Sequence, residues 1–116
     1  MSRIGTDIEQ ISRIEQAMAR TPRFGERLFT PAERAYCDAA ARPGQHYAAR
    51  FCAKEAFAKA IGEPLSWHDV EILRADSGQP LLRATGKAAE LLAGRPVQLS
   101  LSHAGDYAMA VVLIEE

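Results

Sequence analysis

The sequence predicts an α+β fold, with a small antiparallel sheet packed against a long central helix and shorter helices. Three observations predict it. An apolar, strand-like run opens the chain at residues 3–8. Residues of about 45–61 are good helix formers that end at Gly62 and Pro64. Four further strand-like runs, broken by Gly and Pro turns and one helical stretch, fill the remainder; strand, helices, then a three- or four-stranded meander with one helix is an α+β order.

Taken in order, Arg3 to Ile8 reads as a strand that ends near Asp7. Gly5 inside it marks a close approach of backbone or ligand. Ile11, Ile14 and Met18 then repeat at helical spacing over about 10–20, and Asp7 suits the N-cap of that helix. A short helical turn follows near 23–28. Thr30, Pro31 and Glu33 form a capping-box pattern that starts a helix over about 31–40. Glu33 is therefore read as structural. Arg42-Pro43-Gly44 ends that helix, which places His46 in an exposed position before the long one. Strands near 68–74 and 80–84 are joined by Asp76-Ser77-Gly78-Gln79-Pro80, with Trp67 at the start of the first, covering the core or a subunit contact. A helix of about 86–93 precedes two final strands, Val97–His103 and Ala108–Ile114, joined by a tight Ala104-Gly105-Asp106 turn.

Composition narrows the function. The chain has 116 residues, 47% of them hydrophobic, which suits one domain over 1–116 with one core. Its net charge is −1, so no global basic field argues for nucleic acid, and any anion site must be local. No apolar run is long enough to span a membrane. The N-terminal residues lack the basic and apolar regions of a signal peptide, so a cytoplasmic protein is expected. Cys37 and Cys52 lack metal-type spacing and read as reduced thiols.

The richest segment is Arg50-Phe51-Cys52-Ala53-Lys54-Glu55-Ala56-Phe57-Ala58-Lys59-Ala60. On a helix, Glu55 and Lys59 lie one turn apart, with Phe51 one turn earlier on the same side. Charge thus sits within the part expected to be buried. A surface Glu-Lys pair of this spacing is common and contributes only about 0.3–0.5 kcal/mol, so the pair alone implies no chemistry. Lys54 projects about 100° away from Glu55. Cys52 is read as packing. Ser102 and His103, adjacent on a strand, face opposite sides and do not form a nucleophile-base pair.

Several segments, taken together, resemble the holo-acyl-carrier-protein synthase family of 4′-phosphopantetheinyl transferases. They are Gly5-Thr6-Asp7-Ile8 with Arg13, Phe29-Thr30-Pro31-Ala32-Glu33, Arg50 through Lys59, Asp69-Val70-Glu71-Ile72, Gly78-Gln79-Pro80 and Ser100-Leu101-Ser102-His103. The ordered set spans nearly the whole chain.

The resemblance implies transfer of the 4′-phosphopantetheine arm of coenzyme A to a serine of an apo acyl carrier protein, with Mg²⁺, releasing adenosine 3′,5′-bisphosphate. It implies the 4′-phosphopantetheinyl transferase fold and, commonly, a homotrimer with sites between subunits. Fatty-acid and secondary-metabolite carriers suit it equally. Asp7 and Glu55 supply the carboxylates that Mg²⁺ prefers. Glu55 is favoured over Asp7 as the base, and Lys59 stabilises or protonates the leaving bisphosphate. Phe51, Lys54, Gly78, Pro80, Ser102 and His103 would meet coenzyme A, with Lys54 reaching a phosphate from the side or bridging to a neighbouring subunit. Arg13, within a locally basic N-terminal quarter, would meet the acidic carrier helix.

The chain departs from the family at Ala60-Ile61-Gly62-Glu63-Pro64-Leu65-Ser66-Trp67. That segment is shorter than usual and lacks a Gly-x-Gly. Pro64 has no N–H to offer an anion, and Glu63 adds negative charge. The departure leaves open a specialised enzyme for one dedicated carrier and a carrier-binding paralogue that no longer turns over coenzyme A; a structural domain of a larger assembly is a separate alternative.

Overall fold

The computed structural model describes residues 1–116. Strand β1 (Arg3–Gln10) leads into helices α1 (Ile11–Arg20), α2 (Phe24–Leu28), α3 (Pro31–Asp38) and α4 (Pro43–Ile61). A 3-10 turn at Trp67–Asp69 precedes β2 (Val70–Arg74) and β3 (Pro80–Ala84). Helix α5 (Gly86–Leu92) then leads to β4 (Val97–Ala104) and β5 (Tyr107–Ile114).

Two antiparallel sheets form rather than one meander: β1-β5-β4, and the hairpin β2-β3. After Ala84 the chain turns away into α5, and β4 pairs only with β5. Strand β5 is central to its sheet. Its inward residues Ala108, Ala110, Val112 and Ile114 are buried beneath α4. Ile4, Ile8, Tyr107 and Met109 stand on the opposite face, exposed.

Helix α4 is buried on most sides, through Ala48, Ala49, Cys52, Ala53, Ala56, Phe57, Ala60 and Ile61. Small side chains let β1 approach its backbone, and Gly5 makes the closest approach. A Cβ at Gly5 would lie 1.9 Å from the Ala56 carbonyl oxygen and 2.9 Å from the Ala60 nitrogen. Both are backbone atoms, so the helix itself would have to move. Gly5→Ala is expected to destabilise the protein by about 2–3 kcal/mol, read as a lower urea midpoint at unchanged m-value.

Several expected boundaries move. Pro43 begins α4 as an N-terminal helical residue instead of ending α3, which places His46 inside α4. Trp67 lies in a 3-10 turn rather than in a strand. Strand β1 runs three residues past Asp7, because pairing with β5 continues to Gln10 opposite Tyr107. Asp7 therefore does not cap α1. The N-cap residue Gln10 makes no side-chain cap bond either. Asp106 serves instead: its carboxylate accepts from Ser12 N at 3.1 Å and from Ser12 Oγ at 2.6 Å, and its carbonyl accepts from Ile11 N at 2.7 Å.

Candidate active site

Asp7 and Glu55 come together where β1 crosses the C-terminal half of α4. Asp7 is on the inward face of β1, one step from Gly5 in the side-chain alternation. The close approach at Gly5 thus brings this carboxylate to the helix. Lys59 Nζ donates to Asp7 Oδ1 at 3.1 Å and to the Thr6 carbonyl at 3.0 Å. Asp7 Oδ2 is buried with no hydrogen-bond partner. Burial and the neighbouring Asp7 charge push the Glu55 carboxyl above its ordinary range, while Lys59 opposes them.

Glu9 is a carboxylate that sequence reasoning missed. It lies two residues beyond Asp7 on the same face of β1. Burial raises its pKa, followed by Asp7; Arg13 opposes, Glu55 adds to the rise, and Lys59 lowers it. The D-x-E alternation within a strand was the available signal, but ending the strand near Asp7 concealed it.

A cleft of about 530 Å³ opens beside Glu55 and Lys59, walled by Gly62–Trp67. The departure at Gly62-Glu63-Pro64 leaves this cleft open. Glu63 is paired with Lys87 of α5 at 3.4 Å, which offsets part of its charge. Phe51, expected to meet coenzyme A, lines neither pocket; it stacks on Trp67 with ring centroids 5.3 Å apart and backs that wall of the cleft.

Lys54 is not free to meet a phosphate or a neighbouring subunit. Its side chain is 1% exposed and donates to Glu33 Oε1 at 2.8 Å and to the Trp67 carbonyl at 2.9 Å. Glu33 forms the expected capping box with Thr30. Its second oxygen accepts from Ile72 N at 2.9 Å. One carboxylate thus joins α3, α4 and β2. Cys52 is packing, as expected: its thiol donates to the Ala108 carbonyl, and burial pushes its pKa to about 12.

A second pocket of about 440 Å³ lies at the N-terminal half of α4. It gathers Gly78, Pro80, Ser102 and His103, four residues that the sequence resemblance had grouped. It also holds Arg50, Arg74 and His46, which were given no role, and no carboxylate lines it. His103 Nε2 meets Gln45 Nε2 at 3.1 Å. The two pockets share no lining residue and sit about 15 Å apart along α4. Arg13 is exposed on α1, away from both linings.

Carboxylates on a helix-packed strand, a lysine one turn from Glu55 and a separate pocket lined by arginine and histidine thus lie along one helix. Residues 3–112 match the family model of the 4′-phosphopantetheinyl transferase superfamily, and the chain belongs to that family. It is 49% identical to the holo-[acyl-carrier-protein] synthase of Moorella thermoacetica, over 99% of this chain and 94% of that one. Its fold is similar to the crystal structure of the Neisseria meningitidis holo-[acyl-carrier-protein] synthase, with a TM-score of 0.88 and 33% identity over 98% of each chain. The Helicobacter pylori synthase in complex with coenzyme A is also similar, with a TM-score of 0.87 and 29% identity over 97% of this chain and 99% of that one. The enzyme class expected from the sequence, a holo-acyl-carrier-protein synthase type of transferase, holds.

Proposed function

We propose that this chain, acting as one domain, transfers 4′-phosphopantetheine from coenzyme A to a serine of an apo acyl carrier protein. The observation that carries the reading is the convergence of Asp7, Glu55 and Lys59 beside an open cleft. The serine oxygen forms a bond to the pantetheine-bearing phosphorus, and the P–O bond to the nucleotide breaks. Adenosine 3′,5′-bisphosphate leaves.

Mg²⁺ fits the residues. Carboxylate oxygens are its preferred protein ligands, and Asp7 Oδ2 is a buried acceptor without a partner. Asp7 and Glu55 would hold it, with Glu9 close by, and when bound it would neutralise charge on the pyrophosphate. Glu55 takes the serine proton; its raised pKa makes it a stronger base than an exposed carboxylate. Lys59 turns from Asp7 toward the leaving phosphate as charge develops there.

The cationic pocket suits the adenosine and phosphate end of coenzyme A, with Ser102, His103, Gly78 and Pro80 in contact. Its separation from the carboxylates along α4 favours a site completed between copies. A homotrimer would also cover the apolar sheet face, where Ile4 is 69% and Ile8 63% exposed. Sedimentation that gives a monomer at micromolar concentration would remove this part. Arg13, exposed on α1, is a contact for the acidic carrier. No helix is long and apolar enough to cross a membrane, and a cytoplasmic location fits that finding.

Incubation with coenzyme A, Mg²⁺ and apo carrier, followed by mass spectrometry, tests the reading: the carrier gains one phosphopantetheine. No gain across several carriers would favour the binding-only paralogue. A pH effect should accompany binding. Burial, then Arg50, Arg74 and His103, lower the pKa of His46, so it is neutral at pH 7.5. A bound phosphate reverses that balance and favours the imidazolium. Coenzyme A binding should therefore take up a proton, read by calorimetry in buffers of different ionisation enthalpy. His46→Gln should remove that uptake.

A further inference from the structure

Tyr36 of α3 occupies a position that the transfer chemistry does not use. Its ring is met on several sides by basic groups. The Arg50 guanidinium carbon lies 4.3 Å from the ring centroid and that of Arg74 lies 5.7 Å away. The His46 ring packs against it edge-on at 5.6 Å and 77°. The Tyr36 hydroxyl accepts a hydrogen bond from Arg74 Nη1. Arg74 Nε in turn donates to the Gly78 carbonyl at 2.9 Å. One ring thereby joins α3, α4 and the end of β2, and the last two of these bring His46, Arg50 and Arg74 to the second pocket.

The two guanidinium cations, Arg50 and Arg74, lack anionic partners in the pocket. Arg50 is 4% exposed, and its buried Nε has no hydrogen-bond partner. Arg50, Arg74, His46 and His103 line the pocket and no carboxylate does. Groups of like charge held this close repel, and the electron-rich ring face offsets part of that repulsion. It also fixes guanidinium groups that would otherwise lose freedom on meeting a ligand.

We propose that Tyr36 is a positioning residue for recognition of a phosphate monoester, holding Arg50 and Arg74 oriented toward it before it arrives. The proposal rests on the coenzyme A reading above. It takes the monoester to be the 3′-phosphate of the adenosine end already proposed for this pocket, since that group carries more charge than either phosphate of the pyrophosphate. Four basic groups without an acid match a dianion better than a diester.

The test compares coenzyme A with 3′-dephospho-coenzyme A by calorimetry on the full chain. The wild-type protein should prefer coenzyme A by about tenfold or more. Tyr36→Leu should weaken coenzyme A by about tenfold and leave dephospho-coenzyme A unchanged, so the preference collapses. Tyr36→Phe, which keeps the ring, should retain most of the preference. Tyr36→Gln, at a half-buried position, removes the ring without touching Arg50 or Arg74, and its loss of preference supports the proposal even where Tyr36→Leu fails to fold. The proposal is overturned if a folded Tyr36→Leu keeps the full preference, or if it weakens both ligands equally as a packing defect would. A wild-type protein that binds neither ligand overturns the coenzyme A reading itself. One that binds both equally overturns only the phosphate assignment.

Discussion

Glu55→Gln should abolish carrier modification while raising the thermal midpoint of the metal-free protein. The activity loss is expected to be about 10³-fold, since the change removes a proton acceptor and a metal-binding oxygen together. The gain in stability follows from position. Glu55 is held near Asp7, and burial raises its pKa before any charge is counted. A neutral amide of the same shape relieves both effects and keeps the packing of α4 on β1 intact. The sign also fixes a pH trend. A carboxyl whose folded pKa is raised disfavours the folded state above its unfolded pKa, and that loss is complete once pH passes the folded value. The gain from Glu55→Gln should therefore be present in full at pH 7 and vanish near pH 4. Carrier mass spectra and melts with and without Mg²⁺ read both halves. A variant that keeps its activity would remove Glu55 from the chemistry. A variant that is inactive but less stable would mean that the carboxylate is structurally paired, not strained.

The residues of α4 were legible because helix periodicity alone places Glu55, Lys59 and Phe51 on one side. The approach of β1 was legible in part. Gly5 signalled a close backbone, and its partner proved to be the Ala56 carbonyl. What the sequence concealed lies in contacts between distant segments. Strand β1 continues past Asp7 because β5, about a hundred residues away, extends the ladder, and this is what brings Glu9 into line. Lys54 looked like a surface or ligand-facing lysine because nothing local announces its burial. Its acceptor Glu33 had already been given a complete local role in the capping box. A carboxylate has enough lone pairs for both roles, so satisfying one did not exclude the other. Tyr36, His46, Arg50 and Arg74 converge from three elements, and no spacing within any one of them reveals the pocket.

Removing one partner of the Glu33–Lys54 pair should have the largest effect on stability. Neither side chain reaches water, at 0% and 1% exposure. Lys54→Ala leaves Glu33 buried with its cation gone, and breaking such a pair costs about 3–5 kcal/mol. Glu33→Ala costs at least as much, because it also strips the Thr30 and Ile72 N–H groups of their acceptor. Burial already pulls the Lys54 pKa down against the attraction of Glu33, so the ammonium depends on that carboxylate to remain charged. The double change Glu33→Gln with Lys54→Met separates the charge from the architecture. The amide can still accept from one of these N–H groups, and the methionine fills the lysine channel without a charge to bury. Denaturant unfolding should place the double variant well above Lys54→Ala, because a buried pair contributes less by its presence than its breaking removes. The Lys54 bond to the Trp67 carbonyl adds a functional consequence. Its loss frees the segment Gly62–Trp67 that walls the cleft beside Glu55, so the double variant should bind coenzyme A more weakly even where it folds well. Equal stability of Lys54→Ala and wild type would mean that water reaches Glu33, contrary to its burial beneath α4.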